Sequence, residues 1–390
     1  MGGNAFPDTV RVSRAEVERV AAAVVAAVEA LTQRHPELAG TKVAMPPELA
    51  DKLDCGDVDL HYTLPPAAPA ARAAVLQAAS EALHAVESKS LGGGIVSLLT
   101  PERYQVDLCF VPPECFQLSL LAKGNGDLWW IINLSLRPGL VVRDDGLVVR
   151  RAAFVPPLAD DVLLSRDPAT VCRFLGVPEL WDAASERPVA VSRARAFEIA
   201  AAARFFQRDA FTSRFAEESR EFRVRVQRRP MLGRFKEWLV ARPGPALAAL
   251  ADSAADELGR GSSTSFSVAQ PVRRHCLGEP ECWRAATAFG ATEALAQAVA
   301  EAAIVERERE FKRACQARLN GNVVLALLPG LCGKDVGRVL ATIHDSSGSW
   351  EACSAWLDAA SREEVEARVL LSASALQIVV QPLASPGRSR

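Results

Sequence analysis

The stretch that decides the fold is Asp51-Lys52-Leu53-Asp54-Cys55-Gly56-Asp57-Val58-Asp59-Leu60-His61-Tyr62. It begins with turn-forming residues and continues with polar and apolar residues in alternation, which predicts a short strand. Because side chains alternate between the two faces of a strand, the apolar residues share one face, and the opposite face carries Asp57, Asp59 and His61. Two carboxylates about 6.7 Å apart along one face repel each other, so they suit a divalent cation better than a stable core.

A second strand with a central carboxylate is predicted in Arg103-Tyr104-Gln105-Val106-Asp107-Leu108-Cys109-Phe110-Val111. Its apolar residues again alternate with a polar set, which consists of Gln105, Asp107 and Cys109. Neighbouring strands lie about 4.8 Å apart, so an adjacent position in a sheet would bring Asp107 within reach of Asp57 and Asp59. Three carboxylates of this kind can hold two divalent ions that clamp the attacking and leaving oxygens of a phosphoryl transfer.

The two motifs Gly56-Asp57-Val58-Asp59 and Gln105-Val106-Asp107-Leu108 resemble the catalytic strands of the DNA polymerase β-like nucleotidyltransferase superfamily. The resemblance covers about residues 40–150 and is greatest to poorly characterised eukaryotic and viral branches. It implies transfer of a nucleoside monophosphate from an NTP to an acceptor hydroxyl. It also implies that Asp57, Asp59 and Asp107 are catalytic and bind Mg²⁺ or Mn²⁺.

The chain departs from this family at one position. Members carry a Gly-Ser pair shortly before the first aspartate, where backbone amides hold the triphosphate, whereas this chain has Pro46-Pro47. Proline has no amide hydrogen to donate. An alternative therefore stays open, in which the protein is a catalytically degenerate nucleotidyltransferase that acts as a nucleotide- or RNA-binding scaffold. A calcium-binding role is disfavoured, because the segment lacks the spaced ligands and closing glutamate of an EF-hand loop.

Contacts to the nucleotide are expected from a small set of residues near these strands. Lys52 precedes the turn and Gly56 lies within it, while Arg137 and Arg143 follow later in the same predicted domain. Their cationic side chains, and the backbone at the glycine, would approach the phosphates of an NTP.

Composition describes an ordinary globular protein. Of 390 residues 49% are hydrophobic and 24% are charged, with a formal net charge of −2. Nine scattered cysteines favour a reducing compartment, and we expect a cytoplasmic or nuclear protein. No secretion signal and no apolar run of membrane-spanning length is found, so no membrane association is expected.

The predicted fold class is α+β. Residues 1–155 are expected to form a nucleotidyltransferase domain with a small mixed sheet, and residues 156–390 a mostly helical domain with a basic patch. Local patterns predict a capped helix from Ser13 to about Arg34, a buried helix over 125–136, a hairpin over 140–150 and a strand over 374–381. Trp129 and Trp130 either pack in the core or stack on a base.

Nucleic-acid binding is suggested by two features of the second half. Residues 204–242 contain eleven Lys or Arg against five acids, with candidate contacts at Arg225, Arg228, Arg229 and Arg234. A glycine turn at 328–340 places Lys334 at the start of a helix, which fits either a phosphate contact or a simple helix–helix corner. A solvated helix face explains the basic cluster equally well. The favoured acceptor is an RNA 3′ end.

One cysteine-rich stretch invites a zinc interpretation, with His275, Cys276 and Cys282 close in sequence. Structural zinc requires four ligands, and no second Cys/His pair lies at a suitable distance along the chain. We therefore expect no structural zinc.

Overall fold

The computed structural model describes residues 5–65, 71–208, 211, 230–242, 278–328 and 331–378. These residues combine helices with several small sheets, in agreement with the predicted α+β class. None of the helices in these ranges has both the length and the apolar character that a membrane crossing needs.

A five-stranded mixed sheet forms the centre of the N-terminal part. The first strands in chain order are β1 (Val12–Ser13), β2 (Lys42–Ala44), β3 (Asp54–Cys55), β4 (Val58–Thr63), β5 (Glu87–Gly92), β6 (Ile95–Leu99) and β7 (Gln105–Phe110). The five-stranded sheet has the order β2-β4-β7-β6-β5, while β1 pairs separately with β3. Strands β4 and β7 are parallel, and the other pairs of this sheet are antiparallel.

Two helices cover one face of the sheet, α1 (Arg14–Arg34) and α2 (Ala71–Ala82). Ser13 caps α1 by accepting the Glu16 amide, so the helix predicted from Ser13 is confirmed. Val58, Leu60 and Tyr62 of β4 are at most 1% exposed and belong to one apolar core with buried residues of both helices. Burying each such side chain contributes about 1.5–3 kcal/mol, and this burial holds the alternating strand in register.

The next elements are α3 (Phe116–Lys123), α4 (Leu128–Leu136), β8 (Leu140–Arg143), β9 (Gly146–Val149), β10 (Val162–Ser165), α5 (Pro168–Leu175), β11 (Trp181–Asp182), β12 (Arg187–Pro188) and α6 (Arg193–Ala202). The predicted buried helix and hairpin are confirmed as α4 and the β8–β9 pair. β10 extends this hairpin to a three-stranded sheet. Trp129 is 2% exposed, so its indole belongs to the core.

The chain divides into two compact units. Unit 1 comprises residues 1–155 and 160–295, and unit 2 comprises 156–159 and 296–390. The sequence division at 155 followed a change in composition, whereas packing continues across it. Asn125 shows why: its amide donates to the Val189 carbonyl at 2.8 Å and its carbonyl accepts the Val191 amide at 3.0 Å. The helices α7 (Pro230–Val240) and α8 (Glu279–Ala288) also belong to unit 1.

Unit 2 is helical in the residues that the structure describes. Its helices are α9 (Thr292–Arg318), α10 (Gly321–Leu327), α11 (Gly333–Ser347), α12 (Trp350–Ala359) and α13 (Arg362–Ala375). The first four residues of α9 belong to unit 1 and the rest of that helix to unit 2. The strand predicted over 374–381 is wrong for 374–378, since α13 continues to Ala375 and a turn follows. Val369 and Ala373 stand four residues apart and bury the same helix face in the core of unit 2, which extends the helix. Residues 379–381 lie outside the described ranges.

Candidate functional site

Three carboxylates converge on the polar side of the five-stranded sheet, opposite the side that packs against α1 and α2. One ligand oxygen from each of Asp57, Asp59 and Asp107 lies within 4.8 Å of the other two. Asp57 stands in the bend that leads into β4, Asp59 is the second residue of β4, and Asp107 lies in the middle of β7. The geometric part of the sequence prediction is therefore met, because the three side chains come together.

The register of β4 against β7 produces this convergence. Asp59 pairs with Asp107 across the parallel ladder, between the pairs Val58–Val106 and Leu60–Leu108. The four apolar residues are buried in the core beneath the sheet. A shift by one residue would turn both carboxylates into that core, so the burial of the apolar residues determines where the carboxylates point.

Asp107 is held by two neighbouring side chains. Ser97 on β6 donates its hydroxyl to Oδ1 at 2.6 Å, and the Gln105 amide donates to Oδ1 at 2.9 Å and to Oδ2 at 3.1 Å. Asp107 is 9% exposed, and the two donor residues are at most 2% exposed. A buried carboxylate with donors on both oxygens has a defined orientation.

The Asp59 side chain reaches solvent, and the protein around it removes part of its hydration. Desolvation raises its pKa to about 7, with further contributions from the charges of Asp57 and Asp107 and a smaller one from Glu48. Three carboxylate oxygens so close together are hard ligands that suit Mg²⁺ or Mn²⁺. A divalent cation would replace their mutual repulsion by attraction, so the donor set fits the ion that the sequence predicted.

His61 continues the same strand face as a neutral, oriented imidazole. The Ser119 hydroxyl on α3 donates to the Phe116 carbonyl at 2.8 Å, and its oxygen is 2.9 Å from His61 Nδ1. Since the hydroxyl has a single hydrogen, Nδ1 must be the donor in the second contact, which leaves Nε2 as an acceptor. Burial lowers the pKa of His61 to about 4. The imidazole is therefore uncharged near neutral pH.

Lys52 and Lys123 are each paired with a carboxylate outside the group of three. Lys52 Nζ is 2.8 Å from Glu48 Oε2, and Lys123 Nζ is 3.0 Å from Asp144 Oδ2. The charge of Lys123 acts on Asp59 and lowers its pKa in part. Lys123 was missed by sequence reasoning because it ends helix α3 far from either motif, and no local pattern marks it.

The other residues predicted to contact the nucleotide have mixed surroundings. Gly56 directly precedes Asp57 and so belongs to the site by its position in the chain. Arg137 follows the last residue of α4. Arg143 makes ion pairs with Asp145 at 3.0 Å and Asp161 at 2.8 Å, so its charge is already matched by two carboxylates. This pairing does not favour the predicted phosphate contact of Arg143.

Pro46-Pro47 has a packing role at the position where the resembled family has donor amides. The Pro47 carbonyl accepts the backbone amide of Asn125. A Cβ at Gly124 would approach Pro47 Cγ to 2.7 Å, so only glycine allows the two segments to lie this close. The proline segment is thus packed against the loop before α4, with the Pro47 carbonyl engaged by the Asn125 amide.

Most of the residues predicted to contact nucleic acid lie outside the described ranges. Arg225, Arg228 and Arg229 lie outside the described residues, as do His275 and Cys276 of the zinc interpretation. Arg234 is exposed on α7. Cys282 is buried in unit 1, where its thiol donates to the Gly139 carbonyl at 3.5 Å.

Lys334 is exposed in the first turn of α11, next to Asp335. Arg338 pairs with this aspartate at 3.2 Å, and the Cys332 thiol contacts it as well. A carboxylate in the first turn stabilises the positive end of the helix and repels a phosphate there. The surroundings therefore favour the interpretation of 328–340 as a helix–helix corner.

The chain was also compared with known proteins. No protein-family model matches this sequence, and no curated protein matches it.

Proposed function

We propose that this protein is a metal-dependent nucleotidyltransferase that transfers a nucleoside monophosphate from an NTP to an acceptor hydroxyl and releases pyrophosphate. One observation carries the proposal: the ligand oxygens of Asp57, Asp59 and Asp107 lie within 4.8 Å of one another, on two parallel strands with the spacing of a Gly-Asp-x-Asp motif. A fold gains nothing from three clustered carboxylates that repel one another. Their convergence is useful once divalent cations and a triphosphate are bound.

The three carboxylates would hold Mg²⁺ or Mn²⁺, and when bound these ions neutralise phosphate oxygens and favour ionisation of the acceptor hydroxyl. Asp57 and Asp59 would face the triphosphate, and Asp107 would face the acceptor. Ser97 and Gln105 keep Asp107 in one orientation, which is the positioning that phosphoryl transfer requires. Lys123 and Lys52 would supply positive charge to the phosphates, and each would have to leave the carboxylate with which it is paired.

The domain arrangement and the acceptor belong to the same proposal. Residues 1–155 would contain the catalytic sheet, and the mostly helical remainder would bind the acceptor. An RNA 3′ end is the acceptor that best fits the basic run over 204–242, of which Arg234 is an exposed cation. Gly56, Arg137 and Arg143 complete the proposed nucleotide contacts, of which Arg143 would have to leave its carboxylate partners.

A second candidate function is a nucleotide- or RNA-binding scaffold without turnover. It is favoured by Pro46-Pro47, since the Pro47 carbonyl is engaged by Asn125 and neither proline can donate an amide to a triphosphate. This candidate keeps metal-dependent ATP binding but predicts no product.

The experiment that separates the two is a transfer assay with each radiolabelled NTP, Mg²⁺ or Mn²⁺, and a panel of RNAs that includes 3′-blocked controls. We expect label on RNA with a free 3′ hydroxyl, and loss of at least about 100-fold in Asp57→Ala and Asp107→Asn. Glu102→Gln removes an exposed carboxylate of the same unit and should keep full activity. Mn²⁺-dependent ATP binding without label on any acceptor would support the scaffold and refute the enzyme.

A further inference from the structure

The first described residues form a short segment that contacts Lys89 on β5 and Gln105 at the start of β7. We name Ala5–Asp8 the N-terminal strap. Phe6 of the strap is 4% exposed, so its ring is anchored in the protein. Lys89 on β5 donates to the Ala5 carbonyl at 3.1 Å, and Arg103 donates to the carbonyls of Pro7 and Asp8. The strap is thus held by one buried ring and by two cationic side chains.

The strap reaches the third carboxylate through one residue. The Ala5 amide donates to Gln105 Oε1 at 2.9 Å, and Gln105 Nε2 donates to both oxygens of Asp107. A side-chain amide has one accepting and one donating end. Because the Ala5 N–H must face the oxygen of Gln105, the NH₂ group is turned toward Asp107. In the opposite orientation of the amide, the Gln105 oxygen would face an oxygen of Asp107, and the NH₂ group would face the strap. If the Ala5 N–H were absent, the strap would no longer disfavour that orientation.

The hydrogen bonds also select which oxygen of Asp107 can bind a cation. Oδ1 accepts from Ser97 at 2.6 Å and from Gln105 at 2.9 Å, whereas Oδ2 accepts a single, longer bond of 3.1 Å. A carboxylate oxygen offers about two lone-pair positions, so Oδ1 is saturated. Oδ2 therefore keeps the free lone pair, and its direction depends on the amide of Gln105.

We propose that the N-terminal strap, acting through Gln105, orients Asp107 for divalent-cation binding. Gln105 is then a positioning residue and the Ala5 amide is the group that sets it. This inference rests on the metal site of the proposed function, and it adds that residues distant in sequence from both acidic motifs determine the affinity of that site.

The test is a Mn²⁺ titration of the full chain, in which the electron paramagnetic resonance signal of free Mn²⁺ gives Kd. Ala5→Pro removes one N–H and Ala5→Ser keeps it. We expect Ala5→Pro to weaken Mn²⁺ binding about fivefold, the factor that one hydrogen bond supplies, while Ala5→Ser binds as the wild type does. Gln105→Leu should weaken binding about 10- to 100-fold.

Melting temperatures measured in EDTA separate an effect on the orientation of Asp107 from an effect on the stability of the protein. Ala5→Pro loses one hydrogen bond and should melt somewhat below Ala5→Ser, but a variant that only destabilises the protein would lower the melting temperature without changing Kd. Equal Kd values for Ala5→Pro, Gln105→Leu and the wild type would overturn the inference, as would a wild type that binds no Mn²⁺. If the wild type binds Mn²⁺ but transfers no nucleotide, the proposed function fails, and these Kd ratios still decide the role of the strap.

Discussion

Asp59 and Asp107 lie directly opposite each other on adjacent parallel strands, with Asp57 at the start of the first strand. Their ligand oxygens and that of Asp57 are within 4.8 Å of one another. Paired like charges at this separation destabilise a sheet. The metal-free protein is therefore less stable than it would be without this cluster.

Replacing Asp59 by asparagine should stabilise the metal-free protein. The substitution keeps the size of the side chain and removes its repulsion by Asp57 and Asp107. Because Asp59 reaches solvent, the repulsion is screened, and we expect a gain of about 1 kcal/mol in the free energy of unfolding. Urea unfolding in EDTA at pH 8 measures it.

The same variant should respond to Mn²⁺ less than the wild type does. A cation that binds only the folded state stabilises it in proportion to the logarithm of its concentration over Kd. Removing one ligand raises Kd, so Mn²⁺ should raise the melting temperature of the wild type and leave that of Asp59→Asn nearly unchanged. A stabilising effect of Mn²⁺ that is equal in both proteins would contradict the site.

His61 should make the protein less stable in acid. Its pKa is about 4 in the folded protein, against an ordinary value of 6.5, because it is buried with only 3% of its surface exposed. Below pH 6.5 His61 of the unfolded chain binds a proton, whereas His61 of the folded protein does not bind one until about pH 4. Stability is therefore complete above pH 6.5 and falls as the pH drops toward 4, by about 3 kcal/mol from this residue.

The comparison that isolates His61 is the difference between the wild type and His61→Gln. Glutamine retains a polar contact to Ser119 and does not titrate. The charges that act on His61, from Asp144 and Lys123, are present in both proteins. Urea unfolding in EDTA between pH 4.5 and 8 should show a smaller acid loss in the variant, and parallel curves would disprove the assignment.

Leu60 should be among the most costly positions in the sheet. It is 0% exposed at the centre of β4, and truncation to alanine leaves a cavity beneath the carboxylates. We expect Leu60→Ala to lower the free energy of unfolding by about 2–5 kcal/mol. Leu53→Ala is the matched control, since Leu53 is 83% exposed and its loss should change stability by less than about 0.5 kcal/mol.

Several elements were predictable because short-range patterns encode them. The alternation in β4, the Ser13 cap of α1 and the turn between β8 and β9 each depend on neighbours in the sequence, and each is present in the structure. The strand predicted over 374–381 shows the opposite case. A short apolar run suits a strand or a buried helix equally, and packing against the core of unit 2 made 374 and 375 the end of α13.

The sequence by itself determined that Asp57, Asp59 and Asp107 would stand on the polar faces of two strands, since the period of two in each strand leaves no other arrangement. Only the tertiary structure decided that these strands are neighbours in a register that pairs Asp59 with Asp107. It also decided that Gln105 takes its orientation from Ala5, and that Arg143 is paired with Asp145 and Asp161. Ala5 is 100 residues from Gln105 and Asp161 is 18 from Arg143, so these contacts depend on how the elements pack and no local pattern records them.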